Sequence, residues 1–205
     1  LGLSKKNVRI LDPFQLLGMM EEDILETLRV DVVGLYSPYN FFGFKNEKWK
    51  RWVSQQGIEV EVGENFNTTT DEKGNVYIYP QGDLTSKPSA VLPNGGFYFD
   101  NIVRSEQIDE DDISGKKDFK DQFTLYTDDV LEFFRSNAED IYKNTEYGMI
   151  LNFAGAAIGD AAFLPGPALK KTPGIRKLDE WYMAHLLHPE YIKEVYGFQI
   201  EIAIE

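Results

Sequence analysis

An aromatic cluster with two interspersed polar side chains is the first group in the sequence that could bind a substrate. Tyr36, Ser37, Tyr39, Asn40 and Phe41 lie close together directly after an apolar run. Aromatic faces suit a flat or apolar ligand, and Ser37 and Asn40 could orient it by hydrogen bonds. The alternative is that the aromatic rings only pack against the body of the protein. The cluster predicts a substrate-binding loop, with packing as the competing interpretation.

A second candidate group lies where small residues follow another apolar run. This stretch contains Asn152, Phe153, Gly155 and Asp160. Small residues let the backbone pass close to a ligand, and the Asp160 carboxylate could act as a base or bind a polar substrate group. The alternatives are that Asp160 caps a helix and that Asn152 is a hydrogen-bonded core residue. The two groups together are the predicted substrate-binding residues, and no catalytic residue is assigned.

Metal chemistry has little support in the sequence. The chain has no cysteine, which excludes disulfides, thiolate zinc sites and iron–sulfur clusters from it. His185 and His188 lie near Glu190, but Pro189 separates the histidines from the acid, and the spacing matches no zinc-binding helix motif. The acidic run at 109–112 lacks the spacing of a calcium loop and is typical of a solvated segment. We therefore expect no metal and no cofactor within this chain.

Composition and charge limit the possible partners. The 205 residues carry a formal net charge of -13, with 42% hydrophobic and 27% charged residues. This balance is typical of a globular protein, and the negative charge would repel nucleic acid and anionic lipid. The first residues lack an initiating methionine and the apolar region of a signal peptide, which indicates an internal cut. We expect a protein of the reducing cytoplasm that binds neither nucleic acid nor membranes.

The periodicity of the apolar residues predicts an α/β domain. Apolar residues at spacings of three and four indicate helices, and continuous β-branched runs indicate strands of a parallel sheet that are buried on both faces. Residues 57–100 instead alternate between apolar and polar types around hairpin-turn sequences, which predicts an antiparallel insertion. The predicted helices cover 12–28, a segment from 127, 178–187 and a segment from 189, and the predicted parallel strands cover 30–36 and 149–153. We expect one domain over 1–205.

Three segments carry a likeness to a known family: Arg29–Leu35, Lys87–Asp100 and Asn152–Ala156. By their order and spacing, the chain resembles the uroporphyrinogen decarboxylase superfamily, which includes corrinoid-linked methyltransferases. The segment at 87–100 looks most like the methyltransferase-like branch. Because the family fold is a (β/α)8 barrel, the resemblance implies a partial (β/α)8 TIM barrel with an antiparallel β-hairpin insertion. A partial barrel leaves open sheet edges, so we expect a homo-oligomer.

The resemblance implies a function but does not supply its catalytic residues. Where the decarboxylase has a functional aspartate and a functional tyrosine, this sequence has Pro38 and Phe163. The methyltransferases activate a thiol on zinc held by a His-x-Cys pair and a later cysteine, and this chain has no cysteine. The expected function is therefore a fragment of a corrinoid-linked methyltransferase type of enzyme, inactive alone, with zinc and a corrinoid partner supplied from outside the chain.

Two alternatives to that function stay open. One is uroporphyrinogen decarboxylase activity in tetrapyrrole biosynthesis, with other residues replacing the missing aspartate and tyrosine. The other is a non-catalytic domain that binds a ligand or a partner through the aromatic cluster. In the leading interpretation, the partner is a small-molecule or corrinoid-protein substrate.

Overall fold

Two four-stranded sheets and one pair of parallel strands form the β structure in a computed structural model that describes residues 7–105, 112–151 and 158–205. The strands are β1 (Val8–Asp12), β2 (Leu17–Gly18), β3 (Val32–Leu35), β4 (Lys50–Val53), β5 (Glu59–Val62), β6 (Thr68–Thr70), β7 (Val76–Ile78), β8 (Ala90–Leu92), β9 (Asp100–Asn101) and β10 (Gly148–Leu151). The helices are α1 (Glu22–Leu28), α2 (Gly115–Phe119), α3 (Asp128–Asn144), α4 (Leu178–Leu187) and α5 (Pro189–Ile204).

The two larger sheets are mainly antiparallel. The first has the order β2-β1-β5-β4, in which β1 and β5 run parallel, and the second has the order β6-β7-β8-β9, joined by antiparallel pairs throughout. The turn between β6 and β7 depends on Asp71, whose carboxylate accepts hydrogen bonds from the backbone N–H groups of Lys73 and Asn75. Gly74 completes this turn with a φ of 84°, which favours glycine. The antiparallel pairing predicted within 57–100 is thus present.

The predicted partial (β/α)8 barrel is wrong, because the described residues form separate sheets of four, two and four strands and not a series of parallel strands joined by helices. The two segments predicted as parallel strands do pair in parallel, with Val32 opposite Gly148 and Leu35 opposite Leu151. However, within the described residues β3 and β10 form a sheet of two strands, and none of their side chains is fully buried, with Ile150 at 57% exposure. A strand inside a barrel would be covered on both faces. Two parallel strands therefore gave too little information to predict a barrel.

The helix predicted at 12–28 exists only in its second half. Asp12 ends β1, and its carboxylate accepts a hydrogen bond from Phe14 N at 2.8 Å in a turn. Leu16 has a φ of 56°, and the chain reverses into β2, whose Gly18 lies opposite Ile10. A left-handed residue interrupts a right-handed helix, so α1 cannot begin before the reversal is complete.

The C-terminal helices follow the predictions closely. α3 begins at Asp128 after Thr127, α4 covers the predicted 178–187, and α5 begins with a proline in its first turn, where a missing N–H costs no hydrogen bond. None of the helices within the described ranges combines the length and the hydropathy that a bilayer crossing requires.

Two apolar clusters form the interior. The sheet core packs residues of the two larger sheets around four phenylalanines: Phe42, Phe44, Phe66 and Phe99. The helical core joins α2, α4 and α5, and its buried members are Phe119, Leu164, Ile175, Trp181, Ala184, Tyr191, Ile192 and Val195. The segment 164–176 is called the anchored loop below. Leu164 and Ile175, near its two ends, belong to the helical core, and its middle contacts residues of the sheet region.

Hydrogen bonds to its carbonyl groups fix the anchored loop. Arg104, just after β9, donates to the carbonyls of Gly166 and Leu169 at 2.6 Å each. The buried Ser89 hydroxyl donates to the carbonyl of Pro167 at 2.6 Å. The loop therefore connects the sheet core to the helical core through side chains of the sheet region.

Candidate ligand-binding cavity

The aromatic cluster predicted as a substrate-binding loop follows β3 and folds on itself. Ser37 Oγ accepts a hydrogen bond from Tyr39 N, and Asn40 Oδ1 accepts one from Phe42 N at 3.0 Å. The Asn40 amide donates to Asn46, which in turn donates to the carbonyl of Leu11 at 2.7 Å. These bonds fix the loop against β1. As a result, the polar groups Ser37 and Asn40, predicted to orient a ligand, also hold the loop in shape.

Aromatic contacts join this loop to the segment after the second predicted group. The ring of Phe41 lies 4.6 Å from that of Phe14 and 5.3 Å from that of Phe163. Phe163 ends a short 3-10 helix, Ala161–Phe163, which begins after Asp160. The Asp160 carboxylate accepts a hydrogen bond from Ala162 N at 2.9 Å, so its cap role is present. Phe41 of the first predicted group thus contacts the short helix that directly follows Asp160 of the second.

A wall of helical residues closes the other side. Phe119 lies at the end of α2 and Phe123 follows it, with their rings stacked at 5.6 Å. Trp181 comes from α4, and Tyr196 from α5 meets it edge to face at 6.1 Å. Gln199 lies one turn further along α5 and is buried, with 9% of its surface exposed. The wall is therefore mostly aromatic, with two neutral carboxamides, Gln199 and Gln122.

These three regions enclose a cavity of ≈ 960 Å³. Six of the nine predicted site residues line it, while Asn152, Phe153 and Gly155 lie outside the described residues. The six are Tyr36, Ser37, Tyr39, Asn40, Phe41 and Asp160. The volume is at the upper end of the range for small-molecule sites, which also tend to be apolar with a few polar groups.

The alternative of simple packing describes only part of the cluster. Phe41 is half-buried among other rings, as packing would require. Tyr36 and Tyr39 are 57% and 45% exposed while lining the cavity, so they are not interior residues. The Nζ of Lys45 lies 5.6 Å from the centre of the Tyr39 ring. Two tyrosines therefore stand at an open rim and are available to a ligand.

Several lining residues were not among the sequence-based candidates. They are Leu11, Asp12, Leu17, Gly18, Asn46, Phe119, Gln122, Phe123, Tyr126, Gly159, Ala161, Phe163, Leu164, Trp181, Val195, Tyr196 and Gln199. Gln199 had a usable signal in the sequence. It continues the apolar stripe of α5 formed by Tyr191, Ile192 and Val195, all buried, and a polar residue within such a stripe calls for an explanation.

A buried arginine supports the floor of the cavity. Arg176 is fully buried and donates to the side chain of Gln122 and to the carbonyls of Leu164 and Asp118. Burial lowers the pKa of its guanidinium to about 10. The Gln122 amide donates in turn to the carbonyl of Phe163 at 3.0 Å. Arg176 therefore positions a lining residue without facing the cavity itself.

The carboxylates and the serine hydroxyl that line the cavity take part in local hydrogen bonds. In the described part of the lining, the carboxylates Asp12 and Asp160 and the hydroxyl of Ser37 all accept backbone N–H groups. Covalent catalysis needs a nucleophile hydrogen-bonded to a base, and no such pair lines the cavity within those residues. The groups present can hold and orient a ligand.

Metal binding has no visible support in this region. Among the residues that the structure describes, no group of three His, Cys, Asp or Glu side chains could hold an ion. The ring nitrogen Nδ1 of His185 lies 3.0 Å from the carbonyl of Trp181 on its own helix. Since the chain also has no cysteine, its residues do not fit the thiolate zinc centre that the family resemblance implies.

Comparison with protein-family models, curated proteins and solved structures found no match.

Proposed function

We propose that this chain supplies the substrate-binding part of a uroporphyrinogen decarboxylase-like enzyme of the methyltransferase type. The observation that carries the proposal is the cavity of ≈ 960 Å³, which the first predicted group lines together with Asp160 of the second. The resemblance of three sequence segments to that family supports the proposal, and the barrel that the resemblance implies is not part of it. Zinc chemistry is assigned to no residue of this chain.

The charge of the lining favours the methyltransferase type over the decarboxylase type. Uroporphyrinogen carries many carboxylates, and a site for it needs basic side chains. The described lining contains Asp12 and Asp160 but no lysine, arginine or histidine. The net charge of -13 adds to this repulsion. An uncharged flat ligand is not repelled by these charges, and it can pack against the aromatic walls of the cavity.

A binding role without turnover is the second candidate. It is favoured by the engagement of Asp12, Ser37 and Asp160 with backbone N–H groups, which leaves them to shape loops. In both candidates the chain binds the same class of ligand, so a binding experiment tests the shared part. Activity of a complete enzyme would then separate them.

The experiment compares two flat tetrapyrrole-type probes that differ in charge. Dicyanocobinamide presents a corrin ring with neutral amides, and uroporphyrin presents a ring with carboxylates. We expect the cobinamide to bind, with quenching of tryptophan fluorescence as the signal because Trp181 lines the cavity. We expect no binding of uroporphyrin. Equilibrium dialysis checks both results.

Two phenylalanine variants locate the binding. Phe163→Ala removes a ring that lines the cavity and contacts Phe41, and it should weaken cobinamide binding about tenfold. Phe97→Ala is the control, because Phe97 is 73% exposed and lies outside the lining. Equal weakening in both variants, or tighter binding of uroporphyrin than of cobinamide, would contradict the proposal.

A further inference from the structure

Gln199 combines burial with an unused carboxamide. It lines the cavity from α5, 9% of it is exposed, and over 7–105, 112–151 and 158–205 its side chain makes no hydrogen bond. Asn101 Oδ1 and Arg104 Nε are also buried without a partner, but neither residue is so well buried as Gln199 while lining the cavity. The cavity is the space from which a ligand would approach the Gln199 side chain.

Two other carboxamide side chains that line the cavity already have partners of their own. Gln122 is held at both ends, by Arg176 and by the carbonyl of Phe163. Asn46 is likewise engaged through both amide atoms, with Asn40 and Leu11. A ligand in the cavity can supply the hydrogen-bond partner that the Gln199 carboxamide lacks among the described residues.

A buried amide without a hydrogen-bond partner costs free energy, and a ligand that bonds to it would recover that cost. The residues around it on this wall are Val195, Tyr196 and Trp181. A carboxamide presents one acceptor oxygen and two donor hydrogens in one plane. Its complement is an edge on which a donor stands beside an acceptor, so that two parallel hydrogen bonds form.

We propose that the cavity takes a neutral, flat heteroaromatic ring and that Gln199 pairs with an edge of that ring where a donor adjoins an acceptor. The lining is rich in aromatic residues, among them Phe41, Phe123 and Tyr196, and aromatic rings suit a planar ligand. A neutral edge suits an amide, and the carboxylates of the lining oppose an anionic one. This inference rests on the proposed function, because it names the ligand class for the same cavity.

The test uses a matched pair of fluorescent probes. Riboflavin carries a ring N–H between two carbonyl groups, and its 3-methyl derivative has a methyl group in place of that hydrogen. We expect the wild-type protein to bind riboflavin about tenfold more tightly than the 3-methyl derivative, because one hydrogen-bonded edge is lost. Quenching of the flavin fluorescence measures both affinities.

Gln199→Leu removes the carboxamide with little change in size. In this variant we expect both probes to bind equally weakly, at the affinity that the methyl derivative shows for the wild type. Gln15→Leu is the matched control, since Gln15 is exposed and lies outside the cavity lining, and it should discriminate between the probes as the wild type does. Circular dichroism checks that each variant is folded.

A second readout separates recognition from a structural role. If Gln199 awaits a ligand, replacing its unpartnered amide with leucine should stabilise the ligand-free protein and raise Tm by about 2–4 °C. If the residue were structural, Tm would fall instead. A lower Tm would overturn the inference.

The binding outcomes also distinguish this inference from the proposed function. Discrimination between the two probes that persists in Gln199→Leu would overturn it, as would absence of riboflavin binding to the wild type. In either case cobinamide binding that Phe163→Ala weakens would leave the proposed function standing. If cobinamide did not bind either, both the inference and the proposed function would be overturned.

Discussion

The sheet core and the helical core are closed by different means. The buried members of the sheet core are all apolar, and its four phenylalanines contact one another at ring distances of 6.0 to 6.4 Å. The helical core instead surrounds charged groups: Arg176 is fully buried and Asp118 nearly so. Its stability therefore depends on hydrogen bonds and charge as well as on apolar packing.

The buried polar groups of the helical core form one network. The Tyr191 hydroxyl accepts a hydrogen bond from Ile175 N at 3.2 Å and lies beside the Asp118 carboxyl group. The Arg176 guanidinium lies 4.0 Å from the ring of Phe119 and donates to the Asp118 carbonyl. Burial raises the pKa of the Asp118 carboxyl group. Only the helical core should therefore respond to pH through groups inside it.

The largest expected effect comes from emptying the sheet core. Phe42→Ala removes a fully buried ring and should lower the free energy of unfolding by about 3–5 kcal/mol. The loss should be the same at about pH 5 and about pH 8, because the lost contacts are apolar. Urea unfolding at both values measures it. Phe97→Ala, an exposed change, is the control. If it lowered the free energy of unfolding by more than about 0.5 kcal/mol, the assignment of the core would be contradicted.

The next effect tests the charged group in the helical core. Arg176→Met leaves the carbonyls of Asp118, Leu164 and Pro173 without their donor and should cost about 3 kcal/mol. Arg135→Met is the control, because its ion pair with Glu132 is exposed and contributes about 0.5 kcal/mol or less. Denaturant titration compares the two. If Arg176→Met unfolded with the same free energy as the wild type, the side chain at 176 would contribute only by filling space in the core.

A smaller effect is expected where the two cores are joined. Ser89→Ala removes the hydroxyl that donates to the Pro167 carbonyl and should cost about 1–2 kcal/mol. Hydrogen exchange should speed up in the anchored loop while the amides of β7 and β8 keep their protection. Ser136→Ala, an exposed change in α3, should leave exchange in the loop unchanged. Uniform acceleration across both cores would refute a local role.

The smallest effect is a pH dependence specific to Asp118. Its carboxyl pKa is raised in the folded protein, so folding favours the protonated form. The stabilisation this gives is present below the unfolded pKa of about 3.9 and is lost as pH rises through the folded pKa. Relative to Asp118→Asn, the wild type should therefore gain stability as pH falls. Urea unfolding of both proteins between about pH 3 and pH 7 checks the sign, and an opposite slope would show a carboxylate held charged.

Local pattern was enough to predict most individual elements. Proline at 189 and the capping position at 127 marked helix starts, and turn residues such as Gly74 marked the hairpins. These signals depend on only a few neighbouring residues, so they can be recognised in the sequence without knowledge of the fold. The helix predicted at 12–28 failed because its apolar spacing continued through a reversal at Leu16, which periodicity does not register.

Long-range placement was harder to predict. The apolar runs of β3 and β10 correctly indicated a parallel pair, but they did not indicate what covers its faces, and Ile150 and Val32 are exposed. The cavity showed the same limit. Its loop side, with Tyr36 and Asp160, was visible as a local cluster. Its helical side, with Trp181 and Gln199, became visible only when α4 and α5 were placed in space.

The anchored loop has a consequence for the order in which the chain folds. Its anchors Ser89 and Arg104 precede it by 62 to 78 residues, so their hydrogen bonds close late. Residues up to Phe99 complete the sheet core, and all of them leave the ribosome before residue 164 is made. The sheet core can therefore form during synthesis, with Ser89 and Arg104 already in position, while the helical core waits for the last third of the chain.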